Sequence, residues 1–99
     1  MNGAELTKLV CNNIRQIRKA KKIRLKEVAY EMRVVHQQIS LFENGKSFPR
    51  PQNLCDLAEI LGVDVLDFFK KDAVEIVQLK QRIAELEEEN SILQIHLRG

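Results

Sequence analysis

The chain has 99 residues, of which 44% are hydrophobic and 30% charged, with a formal net charge of +2. This length allows one small core near the lower limit of independent stability, so we expect one domain with at most an appendage, helped by self-association. No window approaches the roughly 18 continuous apolar residues of a membrane span, and the first residues lack the pattern of a signal peptide. The sequence therefore predicts a cytoplasmic protein with no membrane partner.

The two halves of the chain carry opposite charge. Residues 1–50 hold eleven Lys and Arg against four Glu, a formal charge of +7, whereas residues 51–99 hold five against ten Asp and Glu, a charge of −5. This asymmetry indicates a surface that faces a polyanion and a second part with another role. Cys11 and Cys55 show no metal-ligand or redox spacing, so we expect reduced thiols and no metal or other cofactor.

Helical periodicity begins near the N-terminus. Residues 4–21 are predicted to form an amphipathic helix with a basic end, residues 25–32 a second helix and residues 36–43 a third. The residues expected to face the core in these three helices are Leu6, Val10, Ile14, Ile17, Val28, Ala29, Met32, Ile39 and Phe42. Gly45 is well placed for a left-handed cap at the end of the third helix.

The next elements are also helical. Pro51 suits the first position of a fourth helix that ends at Leu61, and Asp64 can cap a short fifth helix whose Leu66 and Phe69 are expected to close the core. No strand-like alternation is present in the sequence. We therefore predict an all-α bundle of five short helices over residues 1–70.

From Asp72 onward the pattern changes to a heptad repeat. Its a and d positions, the predicted dimerisation residues, are Ile76, Leu79, Ile83, Leu86, Asn90, Leu93 and Leu97. Ile at a, Leu at d and a single Asn at a favour a parallel two-stranded coiled coil. In that arrangement Glu75 meets Lys80 of the other chain and Arg82 meets Glu87, both attractive pairs.

Residues 71–99 are therefore predicted to form a dimeric coiled coil that is joined by a short link to the bundle, with about 26 helical residues and a length of roughly 39 Å. The same pattern leaves alternatives open. The helix can fold back on its own bundle, pair antiparallel, or pair with a helix of another protein.

The predicted third helix, HQQISLFE, has two distinct faces. At about 100° per residue, Ile39, Phe42 and Glu43 point one way, whereas Gln37, Ser40, Leu41 and Asn44 point the other. With His36 at the helix start, the outer set has the chemistry of base recognition: Gln pairs with adenine through two hydrogen bonds, and an apolar side chain contacts a thymine methyl group.

Residues 14–69 resemble the helix-turn-helix domain of the phage repressor and Cro (XRE) family. The motifs that carry the resemblance are IRQIR in the first helix, Ala29 and Ile39 ten residues apart, ENGK after the third helix, and LCDLAEILGVDVLDFF at the end. The resemblance implies a lambda-repressor-like five-helix bundle whose third helix, the recognition helix, enters the major groove of double-stranded DNA. It also implies a bacterial or phage, nucleoid-associated protein.

The resemblance assigns site residues by position. It places base contacts at His36, Gln37 and Leu41, with Gln38 and Ser40 beside them, and an internal ion pair between Glu43 and Arg18. Basic and polar residues around the recognition helix are expected to bind phosphate: Lys26, Arg33, Asn44, Lys46, Ser47 and Arg50, with Arg24 as a weaker candidate.

The sequence also departs from the family's pattern. The usual Gln at the start of the second helix is Leu25, and the usual helix caps are replaced by Arg24 and Val35. The turn glycine is replaced by Arg33, which must adopt a left-handed conformation or change the turn.

The predicted function is that of a transcriptional regulator, a repressor, which binds a palindromic operator as a homodimer. The alternative is an antitoxin or adaptor whose C-terminal helix binds a protein partner. No small-molecule ligand is indicated, and no catalytic spacing surrounds His36 or His96, so we do not expect an enzyme.

Overall fold

The computed structural model describes the backbone of residues 1–98 and the side chains of residues 1–89. The helices are α1 (Gly3–Ala20), α2 (Leu25–Met32), α3 (His36–Glu43), α4 (Pro51–Leu61), a 3-10 helix (Val65–Phe69) and α5 (Ala73–Arg98). No strand occurs within residues 1–98. The all-α helix-turn-helix bundle predicted from the sequence is therefore confirmed. Among the described residues, none of the helices combines the length and apolarity needed to cross a lipid bilayer.

The core lies where the four α-helices of the bundle meet the 3-10 helix. Its fully buried side chains come from every one of these elements, including Val10, Ile14, Ile17, Val28, Ile39, Leu57, Leu61 and Phe68. α1 packs against α3, α4 and the 3-10 helix, while α2 packs against α3 and α4. Removal of these apolar side chains from water is the main stabilising contribution to the bundle.

Several helices end in a left-handed residue, and not all of these residues are glycine. Gly45 (φ 73°) adopts the predicted conformation after α3. Arg33 (φ 59°, ψ 41°) does the same after α2, where the Val34 N–H donates to the Ala29 carbonyl at 3.0 Å. Lys22 (φ 58°) follows α1 in this conformation, which its sequence did not predict. A side chain with Cβ costs about 1–2 kcal/mol in this region, so the turns at Lys22 and Arg33 carry strain.

The prediction that Leu66 and Phe69 close the core is wrong. Leu66 is 63% and Phe69 39% exposed, whereas Phe68 is completely buried. The segment is a 3-10 helix, in which residues three apart share a face. Two pairs of residues have that spacing, Val65 with Phe68 and Leu66 with Phe69. Contacts with the rest of the bundle, and not the local pattern, therefore determine which pair faces the core.

Asn13 of α1 holds the end of this 3-10 helix. Its side-chain Nδ2 donates to the carbonyl oxygens of Phe68 at 2.7 Å and Lys70 at 2.8 Å, and the residue is buried. A buried amide that satisfies two backbone acceptors is costly to remove, because each acceptor would otherwise be left unpaired. These hydrogen bonds therefore hold the backbone at the end of the 3-10 helix, from which the Phe68 side chain enters the core.

The first turns of α5 belong to the same core. Ala73 and Val77 are buried against the bundle, one helical turn apart. The heptad positions Leu79, Ile83 and Leu86 lie on another face and are 59%, 54% and 48% exposed. The side chains of Asn90, Leu93 and Leu97 lie outside the described residues. α5 thus has a bundle-facing stripe, Ala73, Val77 and Lys80, and a separate a/d stripe, Ile76, Leu79, Ile83 and Leu86, in which Ile76 is half-buried and the other three are exposed.

A buried carboxylate joins α5 to the bundle. Asp67 Oδ1 accepts hydrogen bonds from Lys70 Nζ and from Lys80 Nζ, both at 2.9 Å. Burial alone raises the pKa of Asp67, but the hydrogen bonds and positive charges of the two lysines outweigh it, so the pKa of this carboxyl is lowered. The folded protein therefore favours the ionised form of Asp67.

This lowered pKa predicts a stability contribution that depends on pH. A carboxyl whose pKa is lower in the folded state stabilises the fold above its unfolded pKa, about 3.9, and loses that contribution as pH falls through the folded value. We expect Asp67→Asn to lower the free energy of unfolding most at pH 5–7, with the difference from the wild type shrinking below about pH 4. Urea unfolding followed by circular dichroism between pH 2 and 7 measures it, and a difference that stays constant across this range would contradict the prediction.

Candidate nucleic-acid interface

The two faces predicted for α3 are present in the structure. Ile39, Phe42 and Glu43 are buried, whereas Gln37 and Leu41 are exposed. His36 is also exposed, at the first position of the helix. Gln38 and Ser40 are half-buried, at the border between the two faces. The outer face of α3 thus combines amide, imidazole and aliphatic side chains, the groups that form hydrogen bonds and apolar contacts with base edges.

α3 is held against the bundle by a buried ion pair. Arg18 Nε and Nη2 of α1 donate to the two carboxylate oxygens of Glu43 at 2.7 and 3.0 Å, and Arg18 Nη1 donates to the Ile23 carbonyl at 2.9 Å. The two side chains are only 11% and 4% exposed. This pair confirms the internal role predicted for Glu43. A two-point guanidinium–carboxylate contact also fixes the orientation of α3, because it restricts rotation as well as distance.

The turn between α2 and α3 sets the angle at which α3 is presented. α2 and α3 pack closely through the Arg33 turn described above. Neither Arg24 nor Val35 makes a side-chain cap to the following helix. The departure from Ser or Thr at these positions therefore leaves first-turn N–H groups without a side-chain acceptor. Such N–H groups at a helix start favour negatively charged ligands, phosphate among them.

The C-terminal end of α3 is ordered by its own hydrogen bonds. The N–H of Lys46 donates to the Leu41 carbonyl at 3.0 Å, and that of Gly45 donates to the Phe42 carbonyl at 3.1 Å. Asn44 Nδ2 donates to Ser40 Oγ at 3.3 Å. This pattern closes the helix at the left-handed Gly45 and fixes the chain direction of the following loop, which carries Lys46 and Ser47.

The predicted phosphate-binding residues lie on the elements around α3. Lys26 is in the first turn of α2, Arg33 in the turn before α3, and Arg50 immediately before α4. Asn44, Lys46 and Ser47 follow α3, and Ser47 is the half-buried one of the six. Four of the six carry a positive charge, which suits a polyanion.

Val35 is an exposed apolar residue beside the base-reading candidates that the sequence pattern did not single out. It directly precedes His36 and is 67% exposed, although an apolar residue at this position gives no cap to the helix. The only sequence signal for it was that missing cap. An exposed branched aliphatic side chain beside the base-reading candidates has the chemistry to contact a thymine methyl group.

α2 and α3 are two short helices joined by a tight turn, and the polar face of α3 is directed outward. They lie in the basic half of the chain. These features define a helix-turn-helix DNA-binding protein. The helix-turn-helix family model HTH_3 matches residues 14–68, more than half of the chain. The chain therefore belongs to the XRE-type helix-turn-helix family and is a DNA-binding transcription regulator. Comparison with the curated proteins and with solved structures produced no significant match.

Proposed function

We propose that the protein is a repressor that occupies a palindromic operator as a homodimer. Residues 1–70 form the DNA-binding head, whose core also includes Ala73 and Val77, and residues 71–99 supply the dimerising coiled coil. Two-fold symmetry of the dimer requires two half-sites related by the same symmetry, about one helical turn or 34 Å apart. The observation that carries the proposal is the pairing, in one chain, of an outward-facing polar α3 with a second helix whose a/d stripe is exposed.

The exposed a/d stripe supports self-association. Leu79, Ile83 and Leu86 are each about half exposed, at regular heptad spacing on one side of α5. Large aliphatic side chains in such a row lose contact with water when a second helix covers them, and each buried side chain contributes about 1.5–3 kcal/mol when burial is complete. The pattern of Ile at a and Leu at d favours a parallel pair, which places both heads at the same end of the coil.

Base recognition is assigned to the outer face of α3. Gln37 is the main group that forms hydrogen bonds with a base. His36 contacts a base at the start of the helix, and Leu41 contacts a thymine methyl group. Gln38 and Ser40, which are half-buried, support them. Lys26, Arg33, Asn44, Lys46, Ser47 and Arg50 contact phosphates, and so set affinity and register rather than sequence preference.

Gln37→Ala is expected to change which bases the protein prefers. Loss of a two-point hydrogen bond to a base costs about 1–3 kcal/mol against the correct sequence, with little effect at other positions of the site. Selection of bound fragments from a random DNA pool, carried out with wild type and variant, measures the change. We expect a palindromic consensus for the wild type and relaxed preference at one symmetric pair of positions for the variant.

Lys46→Ala is the contrasting variant, because it removes a phosphate contact instead of a base contact. We expect weaker binding to all sequences by a similar factor and a reduction of the salt slope, d log K/d log[salt], by about one unit per half-site. A wild-type protein that selects no consensus would contradict sequence-specific regulation. A Gln37→Ala variant with an unchanged consensus would contradict only the base contact assigned to Gln37, and not sequence-specific regulation.

A further inference from the structure

Lys80 has a partner that its heptad position did not predict. At an e position it is expected to meet Glu75 of a second chain in a parallel coil. In the single chain its Nζ lies 2.9 Å from Asp67 Oδ1, where the Asp67 side chain is 2% and the Lys80 side chain 52% exposed. An ion pair with a buried carboxylate is screened less by water and salt than a pair between two solvated charges. The contact with Asp67 therefore competes favourably for Lys80.

Further contacts cross the same junction. Asn13 Nδ2 binds the carbonyl of Lys70 at 2.8 Å, at the point where the chain leaves the 3-10 helix. On the other side of the link, Ala73 and Val77 are 1% and 6% exposed against the bundle. The link at residues 70–72 is therefore bridged by a hydrogen bond before it and by packing and an ion pair after it. α5 consequently leaves the bundle in one defined direction.

The two stripes of α5 divide its surface between two tasks. At 100° per residue, the bundle-facing stripe and the a/d stripe are centred roughly 100° apart around the helix. Contact with the bundle thus leaves Leu79, Ile83 and Leu86 exposed to a second copy of the chain, while Ile76 is half-buried. The same geometry fixes the rotation of each bundle about its own α5.

We propose that the Asp67–Lys80 ion pair is a positioning clamp that fixes the angle between coiled coil and head, and thereby the separation of the two α3 helices in the dimer. Lys80 is a positioning residue that selects operators by half-site spacing without touching DNA. The inference rests on the proposed homodimer. It assigns Lys80 to its own chain and leaves Glu75 without this partner in the coil.

The distances make such a clamp effective. The two shorter extents of the molecule are 32 and 20 Å. For a lever arm of 20–32 Å, which these extents allow, a swing of about 10° moves α3 by about 3.5–5.6 Å, compared with the rise of about 3.4 Å per base pair. A modest loosening at Asp67 therefore allows operators whose half-sites are displaced by a base pair. Affinity for a single half-site is unaffected, because α3 itself does not change.

The test uses the full chain and a spin label on its own exposed cysteine. Cys55 is exposed, whereas Cys11 is buried and its burial raises the pKa of its thiol, so a thiol-specific nitroxide attaches at Cys55. Double electron–electron resonance then reports the distance between the two Cys55 labels of a dimer. We expect a narrow distribution for the wild type and a broadened one for Lys80→Gln. The variant should still fold, because Lys70 remains bonded to Asp67.

Glu75→Gln is the matched control. If Lys80 acts through Glu75 of the second chain, the two variants weaken dimerisation equally and leave the distance distribution narrow, which overturns the clamp. If Lys80 acts through Asp67, only Lys80→Gln broadens the distribution, at an unchanged dimer dissociation constant. A wild type without a dipolar signal would instead overturn the dimer itself, and the clamp with it.

Operators with one or two base pairs inserted at the centre give a second readout. The wild type should bind them about 10²-fold more weakly than the best spacing, because the two heads no longer engage together. Lys80→Gln should discriminate at least about tenfold less than the wild type among spacings. Spacing preferences identical to those of the wild type, in a folded and dimeric variant, would refute the clamp while the proposed dimer stands.

Discussion

Leu86→Asp is expected to abolish the dimer and to weaken operator binding by about 10²–10⁴-fold, while the bundle stays folded. In the proposed coil Leu86 occupies a d position, where the side chains of the two chains face each other. The variant therefore places two carboxylates opposite one another in an apolar layer. The factor follows from avidity, because a monomer binds each half-site without the effective concentration that its linked partner provides.

The structure explains why this substitution should spare the fold. Leu86 is 48% exposed in the single chain and lies beyond the turns of α5 that pack on the bundle. Removal of all of residues 73–99 would be a poorer test, since it would also remove Ala73 and Val77 from the core. A point substitution on the a/d stripe separates dimerisation from head stability, which truncation would not.

Gln78→Asp is the control for the introduced charge. Gln78 is exposed on α5 and occupies a c position, outside both the a/d stripe and the bundle-facing stripe. Sedimentation should show a dimer for the wild type and for Gln78→Asp, and a monomer for Leu86→Asp at the same concentration. Dimeric Leu86→Asp would show that another surface joins the chains. A monomeric wild type would favour the alternative in which the stripe binds a helix of a different protein.

Glu43→Ala is expected to destabilise the bundle by about 3–5 kcal/mol, a large share of the stability of a domain this small. The variant leaves the Arg18 guanidinium, 11% exposed, without the carboxylate that binds two of its nitrogens. An unpaired buried charge costs far more than the pair itself contributes. At about 4–8 °C per kcal/mol, the midpoint of thermal unfolding should fall by more than about 12 °C.

Glu31→Ala provides the comparison for this loss. Glu31 is an exposed carboxylate on α2, and the ion pairs found among the described residues do not include it. Its removal should change the free energy of unfolding by no more than about 0.5 kcal/mol. Urea unfolding at 25 °C measures both variants. A Glu43→Ala variant within about 1 kcal/mol of wild type would show that Arg18 finds another partner.

The double variant Arg18→Met, Glu43→Met tests the cause. Replacement of both members of a buried ion pair by apolar residues is often neutral or stabilising, so most of the loss should be recovered. Recovery should be incomplete, because the Ile23 carbonyl also loses its hydrogen bond from Arg18. Where Glu43→Ala remains folded, its base preference should match the wild type, since Glu43 is buried on the face opposite to Gln37.

Part of the candidate interface could be predicted from local sequence patterns. Helical geometry and residue chemistry alone predicted which side chains of α3 point inward, Ile39 and Phe42, and which point outward, Gln37 and Leu41. They also predicted the left-handed conformation of Gly45. The Glu43–Arg18 pair, between residues 25 apart in the chain, came from the family resemblance and is confirmed. The exposure of Val35 did not follow from the local pattern, which showed only that this position lacks the usual helix cap.

The sequence by itself determined the helices, the outward face of α3, the asymmetry of charge and the heptad repeat, because each is periodic or local in the chain. Only the tertiary structure decided the contacts between distant residues. It buried Phe68 instead of Leu66 and Phe69, bonded Asn13 to the Lys70 carbonyl, and joined Lys80 to Asp67. The spacing of the 3-10 helix allows either Val65 with Phe68 or Leu66 with Phe69 to face inward. The heptad position of Lys80 likewise does not exclude a partner within its own chain. The choice between them depends on which groups the folded bundle removes from water.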